Sequence, residues 1–430
     1  MTLLQTDRLI RIATALGDDA FVVRSFAGTE KISGLFSFDL MLASERADIT
    51  FEQLAGKNVT VSIGSSDGDQ RFFNGIITAF APGQSATKEG FSKYTATLRP
   101  AAWLLTRCVD CRVFQDKSVP EIVRQVLETA GEKGIGARIE FRMALAGSYD
   151  PRPICIQFNE TDLAFIERLC AAEGIFYFFE HVNGGHTLVF ADNPEAHKPH
   201  AGGDKQSVPF QNATGGVADQ ESVCYLQPDN KLMSGKYMAR DYNFTIPDVD
   251  MTVSCSTQNR QPTSPGFIYE YPGDYTKPSG RAEALAAARI GAEDARMHTF
   301  SGRSNCRGFA AGTSFTLKDH PIKTIDNTTY VLTRVRHDAR QHWTSGSDED
   351  RYGNQFVCLS RAIAFRPPRN HPKPMIGGSQ VAIVTGPKEE EIHTDKYGRV
   401  KVRFFWDRRS DQHGDGNMSC WIRVSQAWAG

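Results

Sequence analysis

Arg399-Val400-Lys401-Val402-Arg403-Phe404 alternates without a break: Val400, Val402 and Phe404 fall on one side, Arg399, Lys401 and Arg403 on the other. Cys420-Trp421-Ile422-Arg423-Val424-Ser425 does the same, with Cys420, Ile422 and Val424 opposite Trp421, Arg423 and Ser425. A repeat of two is that of a strand with one face on a core. The other face here carries cationic and aromatic groups. Asp395-Lys396-Tyr397-Gly398, just upstream, has the residue types of a tight turn. With Val381-Ala382-Ile383-Val384 as a further strand, residues 379–430 predict a small barrel of the oligonucleotide/oligosaccharide-binding (OB) type.

Outward from this segment, Pro367, Pro368, Pro372 and Pro374 predict an extended linker over 366–378. Residues 220–365 read as a second β-domain, interrupted by an alanine-rich helix from about Ser279 to Met297. Residues 1–105 read as a first one. Ala20 to Phe26, Leu35 to Leu42, Asn58 to Ile63, Arg71 to Phe80 and Tyr94 to Leu98 are strand candidates, and their spacing suggests a sandwich or barrel. Between the two, residues 106–192 predict an α+β insert, followed by a loop over 193–219. In the insert, Ser118-Val119-Pro120-Glu121 is a helix start with a capping pair, and Ile122, Val123, Val126, Leu127 and Ala130 share one face. A second helix starts near Asn159 or Thr161, turns Leu163, Ile166, Leu169 and Cys170 inward, and ends at Gly174. Ile175 to Phe179 and Thr187 to Phe190, around Asn183-Gly184-Gly185, predict a hairpin. The fold class is therefore mainly β with an α+β insert.

Composition narrows the function. With 49 basic and 50 acidic residues the net charge is −1, which gives no long-range attraction to nucleic acid or anionic membrane. No run approaches the length of a spanning helix, and the first residues lack the pattern of a secretory signal. Nine cysteines, an odd number, read as free thiols; Cys108 and Cys111 form one CxxC with no second pair to complete a zinc site. His197 and His200, with His181 and His186 upstream, read as solvent-exposed loop histidines. The acidic run Glu389-Glu390-Glu391 reads as a solvated hairpin loop that could face the basic strand of a neighbouring copy. No phosphate loop, HExxH, GxSxG or dinucleotide fingerprint is present. No catalytic residue, metal site or cofactor is expected. The basic stripe Arg399, Lys401, Arg403 reads as an ion-paired protein interface in preference to a single-strand nucleic-acid groove.

Longer blocks carry a resemblance. Asp395-Lys396-Tyr397-Gly398-Arg399-Val400-Lys401-Val402-Arg403-Phe404-Phe405-Trp406-Asp407 and Cys420 to Gly430 resemble the barrel of the VgrG family, the spike proteins of bacterial type VI secretion. Cys111 to Ile122, Phe158-Asn159-Glu160-Thr161-Asp162 and Glu173 to His181 resemble further blocks of that family. The resemblance implies two related hub β-barrels, an insert and a C-terminal OB-fold neck, assembled as a homotrimer that caps the hexameric Hcp tube. It also implies a β-helical shaft beyond residue 430, a PAAR-repeat tip protein, and carried effectors or their adaptors. Such a protein is a structural puncturing device that contacts a target membrane on firing. It is assembled in the bacterial cytoplasm and exported without a signal peptide. Arg399, Lys401, Arg403, Trp421 and Arg423 are expected at or near the trimer interface. A phage or tailocin baseplate hub is the alternative, and an enzyme with a site in the insert the third reading.

Overall fold

The computed structural model describes residues 4–6, 8–64, 70–83, 90–132, 138–200, 207–211, 220–257, 266–342, 350–387, 393–407 and 421–425. The chain opens with β1 (Ile10–Ala13), β2 (Val22–Lys31), β3 (Gly34–Ser44), a single turn α1 (Phe51–Leu54), β4 (Asn58–Ile63), β5 (Arg71–Pro82) and β6 (Ser92–Arg99). There follow β7 (Val109–Lys117), α2 (Val119–Glu132), β8 (Phe141–Ala144), β9 (Arg152–Thr161), α3 (Asp162–Glu173), β10 (Phe176–Val182) and β11 (Gly185–Ala191). Next are β12 (Ser207–Pro209), β13 (Val223–Asn230), β14 (Lys236–Arg240), β15 (Thr252–Ser256), β16 (Phe267–Glu270), α4 (Arg281–Met297), β17 (His298–Ser304), β18 (Ser314–Lys318), β19 (Thr329–Arg340) and β20 (Arg351–Ser360). β21 (Ala382–Thr385) and β22 (Lys401–Phe404) complete the order. The chain is mainly β, as its strand patterning predicts, and has two compact units.

The first unit comprises residues 1–103, 135–146 and 174–368. Its centre is a 12-stranded sheet of order β1-β4-β5-β6-β3-β2-β19-β20-β17-β13, with β18 on β19 and β12 on β18. Period-two patterning drives its first half. In β3, Phe36, Phe38, Leu40 and Leu42 are buried while Asp39 and Met41 face out. Phe26, Phe36, Phe38 and Phe73 are all fully buried, with successive ring centroids 4.7–5.1 Å apart. Burying each ring contributes about 2–3 kcal/mol from area alone.

The ends of that half are brought together by one side chain. Gln341, fully buried, hydrogen-bonds to the backbone of Ile10 on β1 and of Val23 on β2. In the second half, Phe210 bridges Val223, so β12 closes the run β13-β17-β20-β19-β18 round a core that includes Phe309, Phe315, Tyr330 and Phe356. Sequence patterning predicts two separate β-domains here. The structure runs one hydrogen-bonded sheet through both, because β19 changes partner. Its Thr329–Val331 pairs with β18; a register shift at Leu332/Arg334 follows, and Arg334–Arg340 pairs with β2 from Lys31 to Ser25. A bulge re-aims a strand in this way.

A three-stranded sheet β15-β14-β16 packs against α4 through Tyr237, Ala239, Val253, Leu285 and Ile290. The hairpin β10–β11 pairs from Phe176↔Ala191 to Val182↔Gly185 round Asn183-Gly184, with Gly184 at φ +80°, and β8 adds in parallel. The predicted insert over 106–192 is thus shared. Its hairpin and β8 belong to the first unit, where Ile32, Phe176, Phe178, Val189 and Val331 form one cluster.

The second unit comprises residues 104–134, 147–173 and 369–430. β7 pairs with β9, and α2 and α3 lie beside them. At the N-terminus of α2 the predicted return bond forms, with Glu121 Oε2 accepting from Ser118 N at 2.7 Å; Ser118 Oγ donates to the same oxygen, also at 2.7 Å. Under β7, fully buried Arg112 meets Asp162 (Nη2–Oδ1 2.5 Å) and Gln157 (Nε–Oε1 2.7 Å). β21 and β22 form a two-stranded antiparallel sheet.

Candidate assembly face and buried polar network

The turn Asp395–Gly398 launches β22. Asp395 Oδ1 accepts from the backbone N–H groups of Tyr397 and Arg399 (both 2.9 Å), and Gly398 takes φ +68°, a value that favours glycine. Asp395 Oδ2 holds the Arg399 guanidinium at 2.7 Å (Nε) and 2.6 Å (Nη2). These bonds offset the desolvation of the carboxyl and keep it below the usual carboxylate range. Arg399 also lies over the Tyr397 ring, 5.3 Å from its centre. It is therefore engaged inside its own turn.

Val400 and Ile422 exchange backbone hydrogen bonds of 2.9 and 2.8 Å, which sets Trp421 beside β22. Lys401 Nζ sits 5.2 Å from the Trp421 ring centre, and His393 lies 5.1 Å from it on ring centroids. Arg403 is half-buried and pairs through its backbone with Ile383; Arg423 is exposed. Of the five residues predicted for an interface, Lys401 and Trp421 are brought together and Arg399 is turned toward Asp395. Of the predicted core face, Val402 is buried, Val400, Phe404 and Ile422 are half-buried, and Val424 is exposed. Trp406 stacks on Phe404 (4.9 Å) and meets the edge of Phe158 (5.4 Å). Glu389-Glu390-Glu391 and Cys420 lie outside the described residues.

The histidines overturn their sequence reading as exposed loop residues. His181 and His186 pair across the β10–β11 hairpin, and His197 and His200 are both buried. The reason is packing: His197 stacks on Phe176 at 5.0 Å, and His200 meets the edge of Phe309 at 5.4 Å. His181, His186 and His337 enter one polar network inside the aromatic core. His337 Nε2 lies 3.0 Å from Glu30 Oε1, and His337 Nδ1 lies 2.8 Å from Tyr352 Oη. Arg71 Nη2 is 3.5 Å from the same Glu30 oxygen. The backbone N–H of Asn74 donates to His181 Nδ1 (3.1 Å), and that of Ala101 to His186 Nε2 (3.1 Å). Those donors fix the neutral tautomers and leave His186 Nδ1–H for Asn74 Oδ1 at 2.7 Å. Burial lowers the pKa of all three, that of His186 to about 4.

The signal for this was alternation: His181 shares a strand face with Tyr177 and Phe179, and His337 with Val335 and Ala339. Cys111 exchanges weak hydrogen bonds with Asn159 (3.3 and 3.4 Å). Among the described residues, no three His, Cys, Asp or Glu side chains could hold one metal ion, and no helix is long and apolar enough to cross a membrane.

Residues 29–343 match the family of the phage tail baseplate hub (GPD). The chain is 36% identical to the type VI secretion system spike protein VgrG1a of Pseudomonas aeruginosa, over 99% of this chain and 65% of the relative. It is 31% identical to the actin cross-linking toxin VgrG1 of Vibrio cholerae, over 96% of this chain and 38% of the toxin. The chain thus spans less than two thirds of either relative. Among solved structures, it is similar in fold to an Escherichia coli component of the type VI secretion system, itself described as similar to the T4 bacteriophage tail proteins gp27 and gp5. There the TM-score is 0.67 and the identity 20%, over 96% of this chain and 93% of the other.

Proposed function

We propose, because this chain belongs to the phage tail baseplate hub (GPD) family and is a homologue of VgrG spike proteins, that it is the structural hub of a type VI secretion spike and not an enzyme. The observation that carries this reading is 36% identity to a spike protein along 99% of the chain. The joined sheet supports it, since a hub that transmits force needs continuous hydrogen-bonded β-structure. In this reading three copies form a ring that caps the Hcp tube. Residues 379–430 form an OB-type neck below a shaft with a PAAR-repeat tip, and effectors or their adaptors ride on the assembly. Arg399, Lys401, Arg403, Trp421 and Arg423 pack at or near the contacts between copies, with the Lys401–Trp421 pair at the centre. The molecule is assembled in the cytoplasm and leaves through the apparatus.

Light scattering after size exclusion tests the assembly. A trimer of the 47.7 kDa chain has a mass of about 143 kDa. Lys401→Glu with Arg403→Glu is expected to shift it to monomer without changing the far-UV spectrum. A parent chain that is already monodisperse monomer at micromolar concentration contradicts the trimer. Co-purification with an Hcp hexamer tests the tube contact. The family match also favours a second reading, a phage or tailocin baseplate hub, which would bind a phage tube protein in place of Hcp.

A further inference from the structure

Where β2 meets β19, the sheet face turned away from the barrel cores carries a groove of about 780 Å³. Lys31 stands directly opposite Arg334 in the antiparallel register. In the next row Thr29 is opposite Arg336, Arg336 opposite Gln355, and Gln355 opposite Arg303. All four cations line the groove. Among the described residues, none of them forms an ion pair with a carboxylate. Two acidic residues of this face, Asp39 and Asp338, both stand opposite Ala27, one row further along, and a third, Asp229 opposite Thr299, is held by Lys231 at 3.0 Å. Asp338 pairs with Arg340 at 3.6 Å, and Asp39 accepts from Thr97 at 2.9 Å.

Like charges placed directly opposite on antiparallel strands destabilise the pair. A chain with 49 basic and 50 acidic residues has carboxylates enough to avoid this, yet four cations stand here together. A local choice that costs stability points to a function for the surface. Spacing indicates the ligand. Residues two apart on one strand face, such as Arg334 and Arg336, are about 6.6–6.8 Å apart, the repeat at which an extended peptide presents side chains to one side. Each guanidinium can take a carboxylate through two parallel hydrogen bonds. Nucleic acid fits less well, because single-strand binding needs open aromatic faces. Tyr225 is the tyrosine of the groove, and the Arg303 guanidinium covers its ring at 5.0 Å.

We propose that this groove docks an acidic, extended segment of a partner protein, with its carboxylates on Arg334, Arg336, Arg303 and Lys31. The chemistry is the same whether the hub works in a secretion spike or a phage baseplate. Fluorescence anisotropy of a fluorescein-labelled glutamate decamer on the full chain tests it. Binding at about 50 mM salt should weaken steeply by about 300 mM. Arg334→Ser with Arg336→Ser should weaken it about tenfold or more, while Lys236→Ser with Arg240→Ser, an equal charge loss on β14, should change it less than about twofold. Lys31→Glu puts a carboxylate opposite Arg334. It should abolish binding and also raise the urea midpoint, so that lost binding is not lost folding. The proposal is overturned by a decamer that does not bind, by equal loss in both double variants, or by tighter binding of a thymidine decamer. It is also overturned if Lys31→Glu changes the oligomeric state, which would make the groove a contact between copies.

Discussion

Gln341 is tied to Ile10 through both ends of its side-chain amide. Oε1 accepts from Ile10 N at 2.8 Å and Nε2 donates to Ile10 O at 2.8 Å; Nε2 also reaches Val23 O at 2.6 Å. These residues are more than 300 positions apart, and the amide takes the place of ladder bonds between β1 and β2. Gln341→Ala would leave three buried backbone groups without that partner. Each such group costs about 1–3 kcal/mol, so a loss of at least about 3 kcal/mol is expected. Urea unfolding measures it as a lower midpoint at unchanged m-value. An unchanged midpoint would show that the amide does not bear the closure.

The seam that Gln341 closes marks where sequence reading stops. Local pattern locates β3, β4 and β5 as strand-forming runs between turn clusters, the helix start through the Ser118–Glu121 pair, and the hairpin through Asn183-Gly184-Gly185. It could not show that β19 serves three partners, since a strand's residues record which face is buried and not which edge is shared. The strand at Ile10–Ala13 is four residues long, too short for its period to stand out. The same limit applied to the interface candidates. Alternation put Arg399 on a face with Lys401, but the nearby Asp395 carboxylate turned it into the turn. The histidines were misread because the loop chemistry around His197 outweighed the strand periodicity that would have turned His181 inward.

Those histidines make stability depend on pH. His186 and His197 are neutral in the folded chain, and burial brings each pKa down from 6.5 to about 4. Above pH 6.5 they are neutral in both states and add no slope. Between 6.5 and about 4 the unfolded chain binds protons that the folded chain refuses, so stability falls as pH falls. The limit is about 1.4 kcal/mol per pH unit for each histidine, or about 4 kcal/mol for the pair between pH 7 and pH 5. Urea midpoints at the two pH values measure this. His197→Phe keeps a ring on Phe176 without a titrating group, and the fall should become shallower. A variant as steep as the parent would mean that His197 is not held neutral.

Arg112 and Asp162 are both fully buried, and the strength of their contact depends on what else surrounds each charge. The register shift at Asp110/Arg112 in the β7–β9 pair accompanies an Arg112 side chain turned into the second unit. There the guanidinium meets Asp162 at 2.5 Å and Asp110 at 3.6 Å, and Gln157 bridges by accepting from Arg112 and donating to Asp162 at 2.9 Å. Asp162 is also the first residue of α3, where the helix dipole favours a negative charge. Removing one partner of a buried pair costs about 3–5 kcal/mol, because the other is left uncompensated. The two sides are not equal. Asp162→Asn leaves one cation that still has Asp110 and Gln157. Arg112→Met takes from Asp162 and from Asp110 the guanidinium that both meet. Arg112→Met should therefore be the more damaging by at least about 1 kcal/mol, and Arg112→Met with Asp162→Asn should recover part of that difference. Urea unfolding of the three variants decides it: if Asp162→Asn proves the worse, the cluster is held by the helix-terminal carboxylate and not by the arginine.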